Sequence, residues 1–347
     1  MKLISALTAG TLLAAGGVVA VAVPATSASG LTTRCDGTAT GVTIPGDLVV
    51  PPEGACVLTD VVVQGSTRVA PGADLVAEGS TFGNAVLVAE DSYFEVNGSE
   101  VDGRVTSRQG WGVALFDSSA TSVVVRMVDG SAVDSRTTLE ASTVDGQVDV
   151  RTGELELTSS SVSGPVRAIG TVFADVVDST IGQSLDVVDN AEGGVFCESE
   201  VYGPATYTGN GVLLQIGADG PVEPCDMASF WGSDVTISDN MAEVFVDQNI
   251  VAGSLSGTGN DPAPTVGDAN RVRGSLGGQF AAGGEAGATI APQALEASIA
   301  RTAASEPSSA DLTVESVTQR SETTAARLAE RSAKAEAAAV EAGPIDL

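Results

Sequence analysis

Val144-Asp145-Gly146, Val162-Ser163-Gly164, Ile181-Gly182-Gln183 and Val201-Tyr202-Gly203 follow one another at intervals of 18 to 20 residues. Each joins an apolar, mostly β-branched residue to a variable spacer and a glycine or a small or polar stand-in. Each then leads into another strand-like run. The phrase recurs at Val63-Gln64-Gly65, Val101-Asp102-Gly103 and Val272-Arg273-Gly274, with weaker copies at Phe82-Gly83-Asn84 and Val251-Ala252-Gly253. A period near twenty, made of strand formers and turn formers, is the mark of a solenoid. Runs such as 58–63, 85–88, 93–96, 122–128, 147–150, 154–157 and 172–177 are short and bounded by Gly, Asp, Asn and Ser, as strands are. Antiparallel sandwiches also have short strands, but without a fixed phrase at this spacing.

One unit holds three short strands and their turns, which is one coil of a right-handed parallel β-helix. Coils stack at about 4.8 Å, so the repetitive body predicts about twelve coils and a rod roughly 55 to 60 Å long. The apolar residue of the phrase is expected to point into a narrow bore and stack on its counterpart one coil above. The spacer faces solvent. The glycine is expected to supply a positive φ at a sharp corner. Aromatic residues make up only 4% of the chain, so the bore must be filled by small branched aliphatics. Two intervals are long. Between Val101 and Val144 two coils are expected, the first bearing a loop at 108–112. Between Val201 and Val251 two coils and an insertion around 221–231 are expected.

The chain divides into four parts. Residues 1–28 read as a signal peptide, with Lys2, an apolar run and a small-residue cleavage site after Ala28. An uncleaved anchor is the alternative, since the run is long enough to span a bilayer. Residues 29–41 are a lead-in, 42–280 the β-helix, and 281–347 an Ala/Glu-rich tail. The tail has helix-permissive runs at 292–304 and 311–342. Its large apolar residues are few, so it is expected to be mobile or partly helical rather than packed. The alternative is a helix docked over the last coil, which otherwise ends near Phe280 without a cap.

The net charge of −29 excludes binding to nucleic acid and to anionic lipid surfaces. The four cysteines of an exported chain are expected to form disulfides. Proximity favours Cys35–Cys56 and Cys197–Cys225, the first capping the opening coil and the second pinning the insertion. There is no CxxC and no histidine, so a metal or redox site is not expected. No cofactor is implied.

Asn249-Ile250-Val251-Ala252-Gly253-Ser254-Leu255-Ser256-Gly257-Thr258-Gly259-Asn260, continued by Asn270-Arg271-Val272-Arg273-Gly274-Ser275-Leu276-Gly277-Gly278-Gln279, resembles the C-terminal signature of a family of uncharacterised secreted β-helix proteins from actinobacteria. Gly46-Asp47-Leu48-Val49-Val50-Pro51-Pro52-Glu53-Gly54-Ala55-Cys56 and Val69-Ala70-Pro71-Gly72-Ala73-Asp74-Leu75 resemble its first coils. The resemblance covers roughly 42–280 and implies a secreted parallel β-helix. Where that family tends to place cysteines in the final coils, this chain has Ser256 and Phe280. The family carries no established catalytic residues to transfer. More distantly, the pattern is similar to bactofilins at the level of fold.

For chemistry, a polysaccharide lyase or hydrolase would need converging carboxylates, about 5 to 9.5 Å apart in a hydrolase. Asp145, Asp149, Asp175, Asp178, Asp186 and Asp189 are candidates, with Arg151 and Arg167 nearby, but the chain holds 45 acidic residues and such proximity arises by chance. The calcium-binding nonapeptide of β-helices does not occur. Trp111, Tyr202, Tyr207 and Trp231 could stack on carbohydrate or pack inside. The resulting expectation is a secreted, non-enzymatic scaffold or adhesin-like protein. Its partner would be an envelope polysaccharide or another protein, and end-to-end self-association is a further option. A polysaccharide-active enzyme is the alternative.

Overall fold

The computed structural model describes residues 31–128, 134–217, 220, 222–281 and 316–345. The signal peptide and the run 292–304 lie outside the described residues. The body is a parallel β-helix of about 13 turns, one more than the period implies. Three strands recur in each turn. The first face is a twelve-stranded sheet running from Gly37–Thr40 to Thr265–Val266. The second face carries two-residue strands such as Thr143–Val144, Ser161–Val162 and Thr180–Ile181. The third carries Val148–Val150, Val166–Ile169 and Leu185–Val188. Every pairing between successive coils is parallel, as in Val144 to Val162 to Ile181 to Val201, and the register shifts between Val101 and Arg104 where Glu100–Arg108 meets Ser119–Arg126.

The apolar residue of the phrase does fill the bore. Val63, Phe82, Val101, Val144, Val162, Ile181, Val201 and Val251 are all fully buried in one continuous core. The glycine has a different task from the one expected. None of Gly65, Gly103, Gly146, Gly164, Gly203 or Gly274 has a positive φ. Instead, a Cβ at Gly164 or Gly203 would strike the backbone of the preceding coil at Gly146 or Gln183. Glycine is needed there for close approach. The left-handed corner lies elsewhere, one residue before a buried serine: Gly98, Asp117, Ala141, Ser159, Asp178 and Glu198 precede Ser99, Ser118, Ser142, Ser160, Ser179 and Ser199.

Those serines form a ladder. The backbone N–H groups of Ser80, Ser99, Ser118, Ser142, Ser160 and Ser179 each donate to the serine Oγ one coil on. Each Oγ in turn donates to the carbonyl two residues before it, as in Ser142 to Glu140. A second corner carries amides. The N–H groups of Asn190, Asn210, Asn240 and Asn260 donate to Asn210, Asn240, Asn260 and Gln279 side-chain oxygens. Corner backbone groups that a tight turn leaves without a strand partner are thereby satisfied inside the protein.

The long intervals resolve into two coils each. Val101 pairs with Ala120 and Ala120 with Val144. The extra residues fall in the second of these coils, between the strand ending at Arg126 and the one starting at Arg136, and not at 108–112, which form an ordinary strand end and corner. Val201 pairs with Trp231 and Trp231 with Val251, leaving the insertion in the first step. Cys35 is bonded to Cys56, and Cys197 to Cys225 within that insertion. The last coil is not left open at its centre: Phe280 turns back into the bore and is 5% exposed.

The tail contains one helix, α1, Val317–Ala342. A capping box starts it, with Ser316 Oγ accepting from the Gln319 N–H and Gln319 Oε1 accepting from the Ser316 N–H. It does not cover the last coil. It lies along the first face and runs back toward the first coil, burying Arg320, Thr324, Leu328, Ser332, Ala335 and Ala339. That stripe has one large apolar residue, which is why the sequence reads as a tail that cannot pack.

Candidate functional site

The first face owes its chemistry to two outward columns of side chains set by the sheet register. One runs Ala55, Asp74, Tyr93, Gly112, Arg136, Glu154. The other runs Val57, Val76, Glu95, Ala114, Thr138, Glu156, Asp175. Alternation along each strand sends these residues out while their neighbours fill the bore. Helix α1 covers both columns with one residue per turn. Because a helical turn rises about 5.4 Å and a coil about 4.8 Å, successive turns meet successive coils.

The helix start is held by a buried ion pair. Arg320 Nε and Nη2 donate to the two oxygens of Asp175 at 2.9 and 2.7 Å, with side-chain exposures of 5% and 4%. The guanidinium also sits 4.7 Å from the Phe173 ring centre. Midway, Leu328 joins Tyr93 and Ala114 in a small apolar cluster against Trp111. Arg331 donates to Asp74 and to the Asp91 carbonyl, each at 2.8 Å. The Arg331 and Arg136 guanidiniums lie 5.2 and 5.1 Å from the Trp111 ring centre. Near the helix end, Ala335 and Ala339 rest on Ala55 and Val76. A cavity of about 420 Å³ opens beside Trp111, lined by Asp134, Arg136, Arg327, Glu330, Arg331 and Lys334.

Covering this face pushes its carboxyls toward the neutral form. Burial raises Asp74, Glu95, Glu154 and Asp175 above their usual range, against the pull of Arg331 on Asp74, Arg136 on Glu154 and Arg320 on Asp175. Glu156 is raised to about 7, first by burial and then by the charges of Asp175 and Glu154, while its hydrogen bond to Thr324 and the charge of Arg320 oppose the shift.

The acidic candidates read from the sequence do not converge. Asp175 is on the first face under α1. Asp149 and Asp186 are on the third face, two coils apart, with Arg167 between them in the register. Asp149 is held by Arg126 at 2.7 Å and Arg151 at 3.1 Å. Burial pushes its carboxyl up, but those two arginines outweigh it and keep it below the usual range. Asp186 pairs with Arg167 at 3.3 Å. Asp178 and Asp189 occupy left-handed corners, and Asp145 a turn between strands. Among the described residues no group of three or more acidic or cysteine side chains could hold a metal ion.

Of the four aromatics, Tyr207 and Trp231 are inside the bore, where the Trp231 indole N–H donates to Asn249 at 2.7 Å. Trp111 is engaged by α1. Tyr202 is 53% exposed, bonded through its hydroxyl to Glu200 at 2.6 Å and set edge-on to Phe230. The serine and asparagine ladders and the α1 contacts were missed by sequence reasoning. The ladders do leave a signal, a serine every 18 to 24 residues from Ser80 to Ser199.

Comparison with known proteins gives no family model, no curated relative and no solved structure that matches the chain.

Proposed function

We propose that this protein is an exported, non-enzymatic rod that serves as a structural or interaction element at the cell envelope or outside the cell. One observation carries the reading: the candidate carboxylates are distributed over different faces and corners, and Asp149, Asp175 and Asp186 are each neutralised by arginine. A glycosidase needs two carboxyls facing one sugar ring. Export is supported by two disulfides, which persist in oxidising compartments. No helix of the described residues is long and apolar enough to cross a membrane. Cleavage after Ala28 and membership of a secreted actinobacterial family belong to this proposal and rest on the sequence. The partner is an envelope polysaccharide or another protein, and Tyr202 with Phe230 offers the exposed aromatic surface for it.

The reading is tested by incubating the purified protein with acidic and neutral polysaccharides. The expected result is retention on some of them with no new reducing ends and no unsaturated uronate. Turnover that is abolished by Asp149→Asn or Asp175→Asn, with the fold intact by circular dichroism, overturns it in favour of an enzyme.

A further inference from the structure

The two ends of the rod are finished differently. At the C-terminal end, strands Thr265–Val266, Arg271–Val272 and Leu276–Gly278 have a neighbour on one side only among the described residues. Leu276 is 48% exposed, whereas Leu255, one coil earlier in the same column, is buried. At the N-terminal end the outer edge of Gly37–Thr40 is occupied. The Thr38 N–H donates to the Gly343 carbonyl at 2.9 Å, and the Ile345 N–H donates to the Thr38 carbonyl at 3.0 Å. The bridge between Thr38 and Pro344 is parallel, the same sense as every coil-to-coil pairing. Ile345 packs against the main core. Gly37 leaves room for the approach, since a Cβ there would collide with the Gly343 carbonyl oxygen. The segment after α1 therefore sits where one further coil would stack.

We infer that Gly343–Ile345 is an edge guard, filling in cis the position that the last coil of a second copy would otherwise take. The last coil offers a first-face strand, Thr265–Val266, whose outer edge has no partner among the described residues, and Gly37–Thr40 is its counterpart at the other end. Strand sense and the order of the faces are the same at both ends, so one rod continues into the next without reversal. Bare sheet edges pair readily, and stacked solenoid repeats need protected ends. A head-to-tail contact of this kind does not close on itself, so it grows into filaments rather than dimers. The guard is tethered by α1, whose Arg331 and Arg320 anchors at Asp74 and Asp175 lie two and seven coils from the Gly37–Thr40 strand it covers.

The test uses the full chain. Ile345→Asp places a charge against the core and is expected to release the guard. The Thr38 amide then loses its protection from hydrogen exchange. The weight-average mass rises with concentration beyond that of a dimer, while the parent protein stays monomeric. Adding Thr38→Pro removes the N–H that would donate to the partner strand and is expected to restore the monomer. The inference is overturned if the parent already forms filaments or if Ile345→Asp leaves Thr38 protected. It is overturned equally if the released variant stays monomeric, or if Thr38→Pro leaves assembly unchanged.

Discussion

At Gly164 a Cβ would lie 2.5 Å from the Gly146 carbonyl carbon and oxygen and 2.9 Å from the Gln147 nitrogen. These are backbone atoms of the preceding coil, fixed on both sides by parallel pairing, so nothing flexible can yield. Gly170 is the contrasting case. Its φ is +65° and a Cβ there meets nothing within 4 Å. Gly164→Ala is expected to destabilise the protein by about 1 to 3 kcal/mol, the usual cost of forced overpacking. Gly170→Asn, which suits the left-handed region, is expected to cost less than about 1 kcal/mol. Urea midpoints at unchanged slope measure both. Equal losses at the two positions would mean that conformational freedom, rather than close approach, selects glycine in the repeated phrase.

The docked helix makes its own demand at the scale of an element, because it covers five carboxyls whose affinity for protons it raises. Glu156 goes from the usual 4.5 to about 7 on burial. A raised value means that docking is at full strength below the unburied pKa and weakens as pH climbs through the buried one. The window here is pH 4.5 to 7, and the loss from Glu156 alone is about 3 kcal/mol at 1.36 kcal/mol per unit. Asp74, Glu95, Glu154 and Asp175 shift in the same direction. Thermal melting followed by helical circular dichroism is expected to come at lower temperature as pH rises across that window. Glu156→Gln is expected to flatten the slope and to stabilise docking above it; a slope the substitution leaves untouched would sink the assignment. This element also marks where sequence reading stops. The coils were legible because Val144, Val162, Ile181 and Val201 carry their own burial signal, period and β-branching together. The serine ladder had the same period, but a serine beside a turn reads as a solvated residue unless its Oγ partner one coil away is known. The α1 stripe of Arg320, Thr324, Leu328, Ser332, Ala335 and Ala339 is legible only against Asp175, Glu156, Tyr93, Glu95 and Val76, which lie between about 150 and 260 residues away in the chain. Polar complementarity over such separations leaves no periodic trace in either partner.

Considered as a whole, the molecule departs from ordinary solenoid behaviour through α1. In a plain repeat array each coil touches only its neighbours, and stability is a sum of nearest-neighbour terms. A helix of 26 residues is about 39 Å long. The first-face strands from Gly37–Thr40 to Ala174–Val177 span about 34 Å at the coil spacing. The helix therefore ties the coil of Asp175 to the first coil through Arg320, Leu328, Arg331 and the Thr38 pairing. Beyond the coil of Asp175, α1 reaches the insertion, where Thr318 donates to Glu223 and Val317 packs in the cluster around Cys197–Cys225 that Phe245 also joins; among the described residues no ion pair from α1 reaches the coils that follow. Substituting Arg320 and Arg331 by Ala leaves Asp175 and Asp74 covered but unpaired, a change that costs about 3 to 5 kcal/mol per broken buried pair in comparable cases. Hydrogen exchange in the double variant is expected to accelerate at least tenfold in the strands between Gly37 and Val177. It is expected to stay near the parent rate in Ser229–Trp231, Val235–Ser238 and Leu255–Gly257. The physical reason is that losing a long-range brace returns the braced coils to nearest-neighbour stability and leaves the unbraced ones where they were. Uniform acceleration along the rod would show instead that cooperativity passes through the bore, and that α1 covers the first face without bracing it.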